Sequence, residues 1–320
     1  MEDNEELKDA LAAKDLPVRE FMQFTMNNDV NVSAEVYHPP DREQGSFHPL
    51  LVYVYGGPGS LQVTSRFGYG STTNNWLRYL GSAFNVAVAS VDARGTIGLG
   101  EDWKFLMYKQ LANIEIQDQI AFGESLREQL DYLHDDDPAA IFGWSYGGFA
   151  ASHVLGRNET SFGCAVAVAP VSSKRYYDTA YTERYMGLIT DDEAAYNATD
   201  LFQYAPNFKD RKYFIAHGTH DDNVHFRHFT TFVDALTRAE VQFRSQVYVD
   251  EDHSINSPQQ SQHLFQAMTN FLNDDCYTYG YQAPTLPPTV STTPGGSESH
   301  RITFTLLLAA LLAAIFGALH

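Results

Sequence analysis

The chain has 320 residues, 44% of them hydrophobic, with 21 Phe and 19 Tyr, enough to bury a sizeable core in one or two domains. A formal net charge of −19 without any Lys/Arg cluster argues against nucleic acid or another polyanion as partner, because neutralising phosphates needs a basic face. Two cysteines, Cys164 and Cys276, give no metal framework, and the histidines of "HGTHDDNVHFRH" (217–228) fit no common zinc spacing, so neither a metal nor a cofactor is expected.

The chain opens on "MEDNEELKDALAAKDL", which is acidic and lacks the apolar segment of a signal peptide. "REFMQFTM" and "VNVSAEVY" flank Asn27-Asn28-Asp29 and read as a hairpin. Six short apolar runs follow: "PLLVYVY" (49–55), "NVAVASVD" (85–92), "AAIFGW" (139–144), "CAVAVAP" (164–170), "KYFIAHG" (212–218) and "SQVYVD" (245–250). Each has strand length and is rich in β-branched or aromatic residues, as strands buried on both faces are. Helical patterns lie between them over 114–134, in "FRHFTTFVDALTRAE" and in "QQSQHLFQAMTNFLN". The alternation predicts an α/β fold, a mostly parallel sheet with a leading antiparallel hairpin, over residues 1–276.

From Tyr277 to Arg301 the composition turns to Thr, Pro, Ser and Gly, which cannot form a core and reads as an extended stalk. The apolar run "ITFTLLLAALLAAIFGAL" (302–319) is just long enough for a membrane span. With the small residues at Ser291-Thr292-Thr293 or Gly295-Gly296-Ser297 and a polar spacer it also has the parts of a GPI signal, the preferred reading. Sequons at Asn31, Asn158 and Asn197 and an even number of cysteines agree with passage through the secretory pathway and a place on the outer face of the cell membrane. A chain routed there needs a leader, so the acidic start reads as the cut end of a longer protein.

The chemistry concentrates at "IFGWSYGGFAAS" (141–152). A strand runs into Gly143-Trp144-Ser145-Tyr146-Gly147, and small residues able to open a helix follow. That is the setting of a nucleophile elbow, with glycines where a Cβ would clash between strand and helix. Serine needs a base and an acid that orients it, which in this architecture follow on later loops in the order Ser, Asp/Glu, His. Asp221 or Asp222 lies just past "KYFIAHG", and His253 just past "SQVYVD". His217, His220, His225 and His228 crowd the acid's own loop and read as loop histidines. The developing oxyanion needs donors. The Tyr146 amide supplies one, and a backbone amide of "YGGPGS" (55–60) or the Tyr55 hydroxyl the other.

"GWSYGG", "VYGGP", "DARGT", "APVSSKRYYDTAYTERYMG", "HGTHDDNVHF" and "DEDHS" together resemble the dipeptidyl peptidase IV branch of the prolyl oligopeptidase family, from about residue 1 to Cys276. The resemblance implies an α/β-hydrolase domain that releases N-terminal dipeptides with Pro or Ala second, from peptides with a free N-terminus, and that commonly forms homodimers. It implies Ser145 as nucleophile, His253 as base, Asp221 rather than Asp222 as acid, and Tyr55 beside the Tyr146 amide in the oxyanion hole. Asn223 matches the residue that holds a substrate carbonyl. Val171, Tyr177 and Tyr181, with Tyr146 and Val224, match the walls of the proline pocket. The family's disulfide falls on Cys164 and Cys276, closing a loop whose constraint is worth on the order of 4–5 kcal/mol in the entropic model.

Two departures stand out. Lys174 occupies the place of a tryptophan in the proline-pocket wall. The family's β-propeller, which supplies paired glutamates for the substrate ammonium, has no counterpart in the sequence, and Glu2, Asp3, Glu5 and Glu6 read as a solvated face. "MEDNEELKDAL" is similar to the family's segment leaving the propeller. Two other readings therefore stand beside the dipeptidyl peptidase: an esterase or endopeptidase of broad specificity, and a surface interaction protein with a vestigial triad.

Overall fold

A computed structural model describes residues 5–277 apart from 27–28, 43–45, 66–70, 134–137 and 158–159. The sequon at Asn158, the stalk and the apolar tail lie outside these residues. No described helix is long and apolar enough to cross a membrane.

Eight strands form one sheet in the order β1-β2-β4-β3-β5-β6-β7-β8. In chain order these are β1 (Val18–Thr25), β2 (Asn31–His38), β3 (Leu50–Val54), β4 (Ala87–Asp92), β5 (Ala139–Trp144), β6 (Phe162–Val168), β7 (Lys212–Gly218) and β8 (Arg244–Tyr248). The expected hairpin is β1–β2, paired antiparallel, and β2 pairs antiparallel with β4. Every pairing from β4 through β3, β5, β6 and β7 to β8 is parallel. β6 begins two residues before the apolar run and stops at Val168, because Ala169 turns to φ 45° and Pro170 has no N–H for a ladder.

The helices are α1 (Glu5–Ala12), α2 (Thr72–Phe84), α3 (Glu101–Phe105), α4 (Ile114–Gln129), α5 (Tyr146–Gly156), α6 (Thr179–Met186), α7 (Glu193–Ala198), α8 (Arg227–Arg238) and α9 (Pro258–Phe271). α4 ends five residues before the helical pattern does, where Leu130 becomes extended and Leu133 bridges to His48. Both sheet faces are covered. One face packs Val52, Val54, Ile141 and Ile215 with Phe122, Leu126 and Val154 of α4 and α5 and with Phe232 of α8. The other packs Leu51, Phe142, Val166 and Phe214 with Trp76 and Leu80 of α2 and with Leu264 and Met268 of α9. Strands buried on both faces explain the continuous apolar runs.

Cys164 and Cys276 form a disulfide across 112 residues of sequence, with their Cα atoms 5.7 Å apart. It ties the chain just past α9 to the first half of β6, an interior strand. Cys276→Ser is expected to lower the melting temperature by about 10 °C, the loss of on the order of 4–5 kcal/mol from a domain of this size. Calorimetry with and without reductant measures it, and an unchanged transition would show that the bridge constrains little. Asn31 and Asn197 are both exposed. The Asn31 carboxamide oxygen accepts from Thr25 Oγ1 at 2.6 Å, and that of Asn197 accepts from Arg175.

Candidate active site

The loops that follow β3, β5, β7 and β8 meet at the carboxyl end of the sheet, where open α/β sheets place their ligands. Ser145 sits between β5 and α5 with φ 61° and ψ −119°, a conformation a non-glycine residue holds only when its surroundings enforce it. The Ser145 amide donates to Val168 O at 2.8 Å, and its carbonyl accepts from Phe149 N at 3.0 Å. Both flanking glycines are required. A Cβ at Gly143 would lie 2.1 Å from the Gly147 carbonyl, and one at Gly147 would lie 2.1 Å from Val54 O.

Asp221 is buried, and Asp222 beside it is exposed. Asp221 Oδ1 accepts from the amides of Asn223 at 3.0 Å and Val224 at 2.8 Å. Its Oδ2 lies 2.7 Å from His253 Nδ1. His217 Nε2 stands 3.1 Å from the same Oδ2 and 2.7 Å from Val224 O; both are acceptors, so Nε2 carries the proton. Burial pushes the Asp221 carboxyl up, but the hydrogen bonds from His217 and His253 outweigh it and hold the group well below the usual carboxylate range. An imidazole with Nδ1 against such a carboxylate keeps its proton there, which leaves Nε2 able to accept one.

The loops after β7 and β8 are stapled together. Thr219 N donates to Tyr248 O and His220 N to Glu251 O, both at 2.9 Å. Gly218 permits the approach, since a Cβ there would lie 2.4 Å from Glu251 O. Trp144, next to Ser145, donates Nε1–H to His253 O at 2.9 Å and so joins the serine turn to the base loop.

The Tyr146 amide opens α5, where first-turn N–H groups have no intrahelical acceptor. Its phenol is buried and donates to Glu115 Oε1 at 2.8 Å; burial, then Glu115, drives its pKa well up. Tyr55 packs against it, ring centroids 6.1 Å apart, across Gly57, where a Cβ would lie 2.9 Å from both rings. Burial raises the Tyr55 hydroxyl's pKa, so it remains a donor. The Tyr55 amide donates to Gln62 Oε1 at 2.7 Å, and the Gln62 and Val63 amides bond to the buried Asp92 carboxylate at 2.8 Å each. That network fixes the loop after β3.

The expected pocket residues share one apolar cluster. Tyr146, Val171 and Val224 are buried in it with Phe149 and Tyr185, and Tyr55, Tyr177 and Tyr181 pack against it. Tyr177 donates to Asn223 Oδ1 at 2.8 Å, which orients the amide NH₂ of Asn223 as a donor. Tyr181 meets Tyr146, Tyr177 and Tyr185 edge to face. His217 and His228, read from the sequence as loop histidines, lie instead in β7 and on α8, both fully buried. His217 supports Asp221, and His228 Nδ1 accepts from Ser172 N at 3.0 Å beside Val171. Sequence reading does not single out Glu115, which holds Tyr146. The crowding of histidines in 217–228 was the available signal for two of these three.

The sheet order and the strained serine turn define an α/β-hydrolase fold. A model of the prolyl oligopeptidase family matches residues 72–276, and the chain belongs to that family. It is 36% identical over 259 residues to venom dipeptidyl peptidase 4 of Apis mellifera, covering 80% of this chain and 32% of that one. It is 37% identical over 280 residues to prolyl endopeptidase FAP of Bos taurus (87% and 36% covered). It is 38% identical over 282 residues to dipeptidyl peptidase 4 of Felis catus (87% and 35%). The crystal structure of Porphyromonas gingivalis dipeptidyl peptidase 4 superposes with a TM-score of 0.78 at 34% identity, covering 86% of this chain and 38% of that one. The chain thus spans about a third of the length of the curated relatives it matches.

Proposed function

We propose that this chain is the catalytic domain of a serine dipeptidyl peptidase that releases N-terminal X-Pro or X-Ala dipeptides through an acyl-enzyme. The observation that carries this reading is the 2.7 Å bond between His253 Nδ1 and the buried Asp221 carboxylate, one loop from a serine held at φ 61°. Ser145 Oγ attacks the carbonyl of the second residue while His253 Nε2 takes its proton. The Tyr146 amide and the Tyr55 hydroxyl hold the oxyanion. Collapse breaks the C–N bond, His253 returns the proton to the leaving amine, and water repeats the sequence on the ester. Asp221 stays ionised and holds the imidazole. Asn223 takes a substrate carbonyl, and the flat pyrrolidine ring lies among Tyr146, Val171, Tyr177, Tyr181 and Val224, where aromatic faces bury it. Attachment to the outer face of a membrane through the C-terminal tail, sugars on the sequons, and a homodimer belong to the same proposal.

A second reading, an endopeptidase, is favoured by the match to a relative named a prolyl endopeptidase. Hydrolysis of Gly-Pro-aminocoumarin against its N-blocked form separates the two. Cleavage of the free form alone is expected. Equal cleavage of both supports the endopeptidase, and cleavage of neither, with no labelling of Ser145 by a fluorophosphonate, sinks both.

A further inference from the structure

The pocket proposed for the proline ring holds a charged group that the proposed reaction does not use. Lys174 follows the strand β6 exit on a short helical turn, Lys174–Tyr176, and is 1% exposed. Its ammonium stands over four rings: Tyr146 at 4.2 Å, Phe149 at 4.7 Å, and Tyr177 and Tyr181 at 5.3 Å each. Three of these four are pocket walls. Among the described residues, Nζ has no hydrogen-bond partner, and neither has Glu115 Oε2. Glu115 therefore does not close on the ammonium; its other oxygen is taken by the Tyr146 hydroxyl and the Ala112 amide.

An ammonium carries three donors and can accept nothing. Ring faces attract its charge but leave its N–H groups unpaired. A pyrrolidine ring or a methyl group entering the cage brings no acceptor and leaves this deficit in place. A side chain with an oxygen acceptor removes it. Sites that hold buried donors reject ligands without the matching group far more strongly than apolar pockets reject a change of size.

We propose that Lys174 makes the pocket a donor site, so that the residue at the cleaved bond (P1) is favoured when its side chain carries an oxygen acceptor, the carboxylate of Asp or the carboxamide of Asn. This rests on the proposed hydrolase reading, with Ser145 as nucleophile, and within it ranks P1 residues that carry an oxygen acceptor above the Pro and Ala proposed there.

Two of the groups around Lys174 are shifted toward neutrality, Lys174 itself from above and Glu115 from below. Burial pushes its ammonium down to about 7, against Glu115 and Asp178, which raise it. Burial holds His153 and His228 down at about 3, with the Lys174 charge adding to the effect in each. Burial raises the phenols of Tyr146, Tyr177 and Tyr181, so they keep their protons. Burial also raises the Glu115 carboxyl. An advantage that depends on a charged Lys174 is present at pH 6 and fades as pH rises through about 7.

The test uses Gly-X phosphonate diphenyl esters with X equivalent to Ala, aminobutyrate, Asn or Asp, and reads the rate of Ser145 modification by intact mass, so that no turnover is needed. Wild type is expected to react about tenfold faster with the Asn or Asp reagent than with its apolar counterparts. In Lys174→Met the ratio falls to about one or below, and in Lys174→Gln the Asn preference remains without the Asp excess. Asp ahead of Asn, with the gap closing above pH 8, assigns the effect to charge; equal rates assign it to the hydrogen bond. Equal or better apolar reagents in wild type, with the same ratio in Lys174→Met, overturn this inference while fluorophosphonate labelling leaves the hydrolase standing. No labelling by any reagent removes the hydrolase reading and this one with it.

Discussion

Ser145→Ala is expected to lower hydrolysis of Gly-Pro-aminocoumarin by about 10⁵- to 10⁶-fold, and His253→Ala to lower it as far, with the double variant no worse than either. In the proposed reaction the two side chains act as one unit. Without the hydroxyl there is nothing to attack the carbonyl, and without the imidazole the hydroxyl keeps its proton. What survives is the rate contributed by oxyanion donors and binding. The fold should not notice the first change. The unusual backbone of Ser145 is enforced by Gly143, Gly147 and the bond from its amide to Val168 O, and alanine brings the same Cβ. The measurement is kcat/KM for three variants beside their thermal transitions. Additive losses in the double variant, or a Ser145→Ala protein within tenfold of wild type, would show that the unit does not exist.

Lys174→Met is expected to stabilise the protein. The ammonium has a pKa of about 7 in the fold against 10.5 for the free side chain, chiefly because burial strips its water. Between those values the unfolded chain binds a proton that the folded chain does not, so the residue's contribution to stability rises with pH across that window. Below about 7 its penalty is complete, about 5 kcal/mol, net of the cation–π contacts the charged form makes. Methionine keeps much of the stem's packing without a charge. At pH 6 the variant should gain about 4–5 kcal/mol over wild type, and by pH 10 the gain should shrink to about 1 kcal/mol. Urea unfolding at the two pH values measures it. A difference that stays flat with pH would place the proton somewhere other than Lys174.

The parts of this molecule legible in its sequence are those where local chemistry and tertiary position coincide. The strand, glycine, serine, glycine, helix succession around Ser145 is one. The hairpin is another, with Asn27-Asn28-Asp29 between two β-rich runs. Helix α2 is the opposite case. Thr72-Thr73-Asn74-Asn75 are poor helix formers, and Trp76, Leu77, Leu80 and Phe84 make a helix there by packing on the sheet. Glu115 shows a second limit. It lies among apolar residues of α4, and its partner Tyr146 is 31 positions away, a distance no periodicity spans. Spacing alone leaves Asp221 and Asp222 open; the family resemblance points to Asp221, and burial agrees with it. Lys174 was visible as a departure from the family's pattern, but the four rings around its ammonium come from two separate stretches of chain.

The bridge between Cys164 and Cys276 also sets how the domain bears a pull. Tension applied beyond Tyr277 does not peel α9 from its end. It passes through the sulfur atoms into β6, which is hydrogen-bonded on one side to β5 and on the other to β7, so it loads two ladders at once. Cys164 lies in the first half of β6, whereas Ser145, Asp221 and His253 follow the carboxyl ends of β5, β7 and β8. The load therefore enters at the opposite rim of the sheet from the serine.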